Sequence, residues 1–458
     1  MEKKNTWETY SSKQLKELEK INAQYRDFLD NGKTERECID TIVNTIEKSG
    51  YRELESLIKE GTALKTGDKV YSVWMNKSIA MFQIGRKPMT EGMNILGAHI
   101  DSPRLDVKQN PLYEDGGFAY LDTHYYGGVK KYQWVTIPLA IHGVIVKKDG
   151  TCVEINIGEN EDDPVFFVSD LLIHLAQEQL EKKAAKVIEG EALDIIVGNK
   201  PLLIDKKDKK KDEKEAGKEA VKAGVLDILK ETYDIHEEDF VSAELEIVPA
   251  GKAREAGFDR SMILAYGQDD RVCAYTSMQA MLDSDVTDRT MCCILVDKEE
   301  IGSVGATGMQ SHFFENAVAE VMNLTGEYSE LHVRRCLAHS CMLSSDVSSA
   351  FDPTYASSFD KKNVAYLGGG MVINKFTGAR GKSGSNDANA EYLAHLRHIF
   401  DKAEVNFQTA ELGKVDLGGG GTIAYILALY GMNVIDSGVA VLNMHAPWEA
   451  TSKADVYE

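Results

Sequence analysis

His99-Ile100-Asp101 follows the apolar run Ile95-Leu96-Gly97-Ala98. An Asp two residues after a His can accept one imidazole N–H, which fixes the tautomer that frees the other nitrogen for a metal. Standing alone, a His behind a strand is more commonly structural. Asp269-Asp270-Arg271 follows the run ending at Tyr266. Paired acids before an Arg suit a surface ion pair, or a carboxylate that reaches two cations, and the residue types leave open which Asp points inward. Asp297-Lys298-Glu299-Glu300-Ile301-Gly302 follows the apolar run 292–296. Two adjacent glutamates at the edge of a buried strand cost desolvation energy unless positive charge compensates. Adjacent acids in different environments also suit split duties, one binding a metal and one moving protons. Ser344-Ser345-Asp346 and Met444-His445 each end a further apolar run; read singly, either is a capping or packing residue.

The argument is cumulative. Five positions place His, Asp or Glu just beyond the carboxyl end of an expected strand, the edge where open α/β sheets bind ligands. Two His with three carboxylates suit Zn²⁺, Mn²⁺ or Co²⁺ better than thiolate-loving metals. They are too many charged ligands for one tetrahedral zinc with an open position. With one carboxylate shared, the set fits a pair of ions about 3.5–4 Å apart.

Such a site needs elements to hold it. Thr34 and Glu37 read as a capping box, after which Cys38, Ile39, Ile42, Val43 and Ile46 recur on one helical face up to Gly50. From about residue 68 short apolar runs end in turn residues: 94–98, 262–266, 291–296, 336–343 and 439–443. Alternating with helical patterns, they predict buried strands of a parallel or mixed sheet. The region 107–248 differs: 137–146 reads as an alternating strand pair and 170–181 as a helix. The run 205–214 is so densely charged that it reads as a solvated loop. The organisation expected is an α/β domain over 1–106 and 249–458, interrupted by an inserted domain over 107–248.

The chain has 458 residues, 43% hydrophobic and 27% charged, enough apolar material for more than one core. A net charge of −21 argues against nucleic-acid and anionic-membrane partners. Seven cysteines, an odd number without zinc-knuckle spacing, lie largely in apolar runs, and the amino-terminal residues lack an apolar signal segment. No stretch reaches about 18 uncharged apolar residues, the span of a membrane helix. A reducing cytoplasm is the expected location.

The ordered set Gly97-Ala98-His99-Ile100-Asp101-Ser102-Pro103-Arg104-Leu105, Asp269-Asp270-Arg271, Glu299-Glu300-Ile301-Gly302-Ser303, Ser345-Asp346-Val347 and Met444-His445 closely resembles the motifs of the M18 metallo-aminopeptidases, the aspartyl aminopeptidase family. Gly418-Gly419-Gly420-Gly421-Thr422-Ile423 looks like that family's glycine-rich active-site loop. The resemblance runs from about residue 20 onward. It implies that His99, Asp269, Glu300, Asp346 and His445 ligate two divalent metals, zinc by family custom and Co or Mn as alternatives, with Asp269 bridging. It implies Glu299 as general base and Asp101 as the acid supporting His99. It further implies a zinc-peptidase-like α/β/α sandwich with an inserted, β-rich dimerisation domain, peptide substrates, and assembly as a homododecamer. His174 matches a histidine-bearing helix of the family's inserted domain and is a secondary candidate for metal or substrate contact.

Two positions depart from the pattern. Ser349 stands where better-known members carry a His, and Asn374 where they carry a substrate-binding Lys, with Lys375 one place late and Arg380 and Lys382 nearby. A cation in the first specificity pocket is what selects an acidic amino-terminal residue, so that preference does not follow from the resemblance. Competing readings are a hydrolase of the same fold, such as an M42-type aminopeptidase or a deacylase, and a non-catalytic scaffold. The latter is expected to lose Glu299 or a ligand, and none is lost.

Overall fold

The structure, a computed structural model, describes residues 5–202, 219–378 and 380–458. The charge run 205–214 lies outside them. Thr34 Oγ1 accepts from the Glu37 N–H at 3.2 Å while the Glu37 carboxylate accepts from the Thr34 and Lys33 N–H groups. This capping box starts the helix Glu35–Lys48, whose Cys38, Ile39, Ile42 and Ile46 are wholly buried.

The strand Met291–Val296 shows why the central runs are apolar throughout. Cys292, Ile294 and Val296 enter one hydrophobic cluster and Cys293 and Leu295 another, so both faces of the strand are covered. The first cluster takes in residues of the helices Leu54–Glu60, Phe313–Leu324, Glu330–His339 and Ala424–Ala428. The second takes in residues of Ser12–Asn31, Glu35–Lys48 and Gln268–Asp283. Helices thus pack on both sides of one sheet, an α/β/α arrangement.

That sheet has nine strands in the order Arg52–Glu53, Lys69–Trp74, Ser78–Gln83, Met291–Val296, Asn94–His99, Cys341–Ser345, Asn433–Gly438, Met371–Asn374 and Phe407–Thr409. The four strands Met291–Val296, Asn94–His99, Cys341–Ser345 and Asn433–Gly438 are mutually parallel. A five-stranded sheet contains Arg254–Ala256, Met262–Ala265, Glu449–Ser452, Ala440–Leu442 and Ser348–Ser349.

By contacts the chain forms two compact units. One comprises residues up to 102, 253–444 and 448–458; the other comprises 103–252 and 445–447. The second unit is built on a six-stranded antiparallel sheet ordered Cys152–Ile157, Leu139–Val146, Ala243–Pro249, Arg104–Asp115, Phe118–Tyr126 and Ile195–Gly198.

Three local expectations need correction. Residues 137–146 hold one strand, Leu139–Val146, whose partners are Cys152–Ile157 and Ala243–Pro249. Residues 170–181 form a 3₁₀ turn, Ile173–Leu175, and a single helical turn, Gln177–Leu180. Their apolar side chains Leu171, Leu172, Ile173, Leu175 and Leu180 are exposed, so no buried face sustains a longer helix. The run 336–343 is divided: Cys336 and Leu337 pack from the helix Glu330–His339, and the strand begins only at Cys341.

Thr34→Ala removes the side-chain half of the capping box, so chemical unfolding should show a loss of about 1 kcal/mol. An unchanged denaturation midpoint would contradict that role.

Candidate metal centre

Because their strands run parallel, three segments leave the nine-stranded sheet at one edge. His99 ends Asn94–His99, Asp346 directly follows Cys341–Ser345, and Glu299 and Glu300 lie just past Met291–Val296. The chain turns after Val296 through Lys298 at φ 69° and closes the turn with Gly302 at φ 94°. These left-handed residues bracket the 3₁₀ turn Glu299–Ile301, a conformation that non-glycine residues hold only when surroundings impose it. Asp101 supplies part of that imposition. Its Oδ1 accepts from the Glu299 N–H and its Oδ2 from the Glu300 N–H, both at 3.1 Å. Asp101 Oδ1 also lies 3.2 Å from His99 Nδ1.

Asp269 reaches the same place from the five-stranded sheet, four residues beyond Met262–Ala265. Gly267 permits the entry: it sits at φ 70°, and a Cβ there would stand 1.7 Å from Arg271 Nη1. Arg271 is buried under Tyr266, its guanidinium 5.3 Å from the ring centroid, and donates to the Lys33 carbonyl at 2.7 Å. The surface ion-pair reading of Asp-Asp-Arg therefore falls. Asp269 is held on both sides, its N–H donating to Glu449 Oε2 at 3.0 Å and its carbonyl accepting from Ser102 Oγ at 2.6 Å.

The side chains converge. Asp269 Oδ1 lies 3.2 Å from His99 Nε2, and His99, Asp269 and Asp346 each place one ligand atom within 4.8 Å of the others. A carboxylate oxygen of Asp269 is also within 4.8 Å of one from Glu300. Glu299 Oε2 stands 3.9 Å from His99 Nε2. Asp270, fully buried, interacts with Cys273 and the His99 backbone.

So many acids at one buried edge carry an electrostatic cost. Burial, followed by the charges of Asp270 and Glu299, pushes the Asp346 carboxyl well above the usual carboxylate range. Burial acts on Asp270 in the same direction. Burial by itself would lower the His99 pKa, but hydrogen bonding to Asp101 and Asp269 raises it well above the ordinary value. Oxygen and imidazole donors without sulfur, crowded and under-compensated, fit divalent cations of the zinc type.

The sequence profile of the aminopeptidase I zinc metalloproteases (M18) matches residues 28–458. The chain belongs to the M18 family. A probable M18 family aminopeptidase 1 of Clostridium acetobutylicum is 63% identical over 457 residues, covering 100% of this chain and 96% of that protein. The crystal structure of an M18 aminopeptidase from Thermotoga maritima superposes with a TM-score of 0.92 at 44% identity, covering 100% and 97% of the two chains. That of aminopeptidase I from Clostridium acetobutylicum gives 0.90 at 61%, again covering 100% and 97%. The chain is thus a metal-dependent aminopeptidase, an exopeptidase of the hydrolase class.

The remaining candidates of this M18 aminopeptidase are His445, His174 and the basic residues Lys375, Arg380 and Lys382. His445, in the left-handed region at φ 64°, groups with the second unit, its Nδ1 hydrogen-bonded to the Gly128 carbonyl at 3.0 Å. His174 is exposed on its 3₁₀ turn and joins no metal-holding group among the described residues. Lys382 pairs with Asp387 at 3.0 Å and lies over the Phe376 ring, while Lys375 and Arg380 are exposed. Asp269 and His445 follow strands of the five-stranded sheet, so the five strand ends do not share one sheet edge as expected.

Sequence reasoning passed over Glu449, Ser102 and Gly438. Ser102 lies inside a quoted motif and Glu449 four residues past another, but nothing in their spacing marks them as partners of the Asp269 backbone. Gly438 lets two backbone segments touch: a Cβ there would stand 1.8 Å from the Asp346 carbonyl oxygen. Gly438→Ala must therefore displace the Asp346 turn. Zinc affinity, measured by competition with a chelator, should fall roughly tenfold or more; unchanged affinity would show that the turn tolerates the methyl group.

Proposed function

We propose that this M18 aminopeptidase removes amino-terminal residues from peptides with two divalent ions held by His99, Asp269, Glu300, Asp346 and His445. Asp269 is the shared ligand, because its carboxylate is near His99 and Asp346 and also near Glu300. That double neighbourhood is the observation that carries the reading. His445 enters through the ordered motif. Zinc is the family's metal, with Mn²⁺ or Co²⁺ as chemically similar occupants.

Bound at such a centre, divalent ions lower the pKa of water and polarise a carbonyl oxygen. The Glu299 carboxylate, beside His99 but not counted among the ligands, accepts a proton from the attacking water. The hydroxyl adds to the scissile carbonyl carbon, the C–N bond breaks, and Glu299 returns the proton to the departing amine. Asp101 is the positioning acid: its two oxygens hold the Glu299–Glu300 turn while it orients the His99 ring. The excess carboxylates give a free α-ammonium group a place to bind, which favours cleavage at the chain's first residue.

The inserted domain over 107–248 is the proposed dimerisation element, with a homododecamer as the assembly and the cytoplasm as the location. Among the described residues no helix is long and apolar enough to cross a membrane.

Hydrolysis of a panel of unblocked aminoacyl amides, after chelation and re-addition of Zn²⁺, Mn²⁺ or Co²⁺, tests the reading. Loss on chelation and recovery on re-addition are expected, and no hydrolysis with any metal would overturn it. Glu299→Gln should retain its zinc while kcat falls roughly 10²–10⁴-fold; substantial residual turnover would remove Glu299 as the base.

A further inference from the structure

Asn374, Asp436 and Ser344 form a row across three neighbouring strands. Asn374 is directly opposite Asp436 in one pair, and Asp436 opposite Ser344 in the next. Opposed residues project to the same face, and these three are 3%, 1% and 0% exposed. Buried polar groups are costly unless hydrogen-bonded, so the partners of this row can be followed one by one.

Two bonds lie in line. Thr422 Oγ1 donates to Asp436 Oδ1, and Asn374 Nδ2 donates to Ser348 Oγ at 2.6 Å. In the same row Asp436 Oδ2, Asn374 Oδ1 and Ser344 Oγ are buried without a hydrogen-bond partner, and Asn374 and Asp436 are directly opposed. One proton shared by these opposed residues satisfies both. Burial pushes the Asp436 carboxyl up to about 7, which favours that proton. Ser344, Asn374 and Thr422, its neighbours in the row and the loop, are neutral, and no charged group contributes to its shift.

The ends of the line matter. Thr422 is where the exposed stretch 419–421 of the glycine-rich loop becomes buried. Ser348 lies two residues beyond Asp346, and its N–H donates to the Val439 carbonyl at 2.8 Å. Ser437, adjacent to Asp436, accepts from the Asp346 N–H at 2.7 Å.

We propose that Thr422, Asp436, Asn374 and Ser348 form one buried hydrogen-bond chain that positions the glycine-rich loop relative to the turn carrying Asp346. Asp436 is its central positioning residue, and Asn374 is committed to the chain instead of meeting substrate. The functional meaning rests on the metal-centre reading above; the chain itself does not.

Three variants of the full-length zinc enzyme test it: Thr422→Val, which is isosteric, Asp436→Leu, and Asp436→Asn, whose amide can accept from Thr422 and donate to Asn374. For Thr422→Val and Asp436→Leu, KM on aminoacyl amides should rise about fivefold or more, with kcat changed less, as loss of a hydrogen bond predicts. Deuterium uptake by the backbone amides of 413–424 should accelerate in both. Asp436→Asn should restore KM and uptake to within about twofold of wild type, since its hydrogen bonds survive. Wild-type KM and uptake in Thr422→Val would overturn the proposal even if Asp436→Leu misfolds, and so would an Asp436→Asn as impaired as Asp436→Leu. A wild type inactive with every metal would instead overturn the metal-centre reading, while deuterium uptake would still decide the chain.

Discussion

Asp101 is asked to satisfy three groups at once: its backbone carbonyl meets His99 Nδ1 at 3.0 Å, with Oδ1 3.2 Å away, and its carboxylate accepts from the Glu299 and Glu300 backbone amides. Each comes from a different demand. His99 must present one nitrogen outward, and the chain after Val296 must turn sharply enough to bring two glutamates back to the sheet edge. A fully buried anion with two N–H donors and an imidazole is stable, whereas the same anion without them would not be. The left-handed residues of the turn and the fixed ring orientation are tolerated because this acid holds both. The two adjacent glutamates are thereby held in fixed, different positions at the sheet edge.

Around Asp101 the architecture serves to bring negative charge together. Parallel strands end at one edge, and a second sheet sends Asp269 in through a glycine that only a side-chain-free residue can occupy beside Arg271. The acids push one another toward protonation, as at Asp346. Divalent cations relieve that repulsion, so metal affinity and the instability of the metal-free centre share one electrostatic origin.

Much of this was legible in the residues. The strands Asn94–His99 and Met291–Val296 were readable because both faces are buried, which leaves an uninterrupted apolar run. His99, Glu299, Glu300 and Asp346 were readable because acids and histidines stand directly after such runs. Residue types alone did not choose between Asp269 and Asp270; only the resemblance named Asp269, whose backbone is held by Glu449, 180 residues away. Nor was it legible that Asp269 leaves a separate sheet. The region 170–181 misled because its apolar residues have a helical density, yet among the described residues no partner surface covers them. Cys336 and Leu337 misled for the converse reason: an apolar run continued smoothly from a helix into a strand, and only Ser340 divides them.

Glu449, which fixes the Asp269 backbone, has a consequence for the order in which the site can come into being. Ribosomes deliver Asp269 long before Glu449, and the strand Glu449–Ser452 that pairs with Met262–Ala265 emerges with it. Until then the Asp269 amide lacks its acceptor and the five-stranded sheet lacks a member. The Asp269 backbone therefore gains this anchor only after residue 449 has been synthesised.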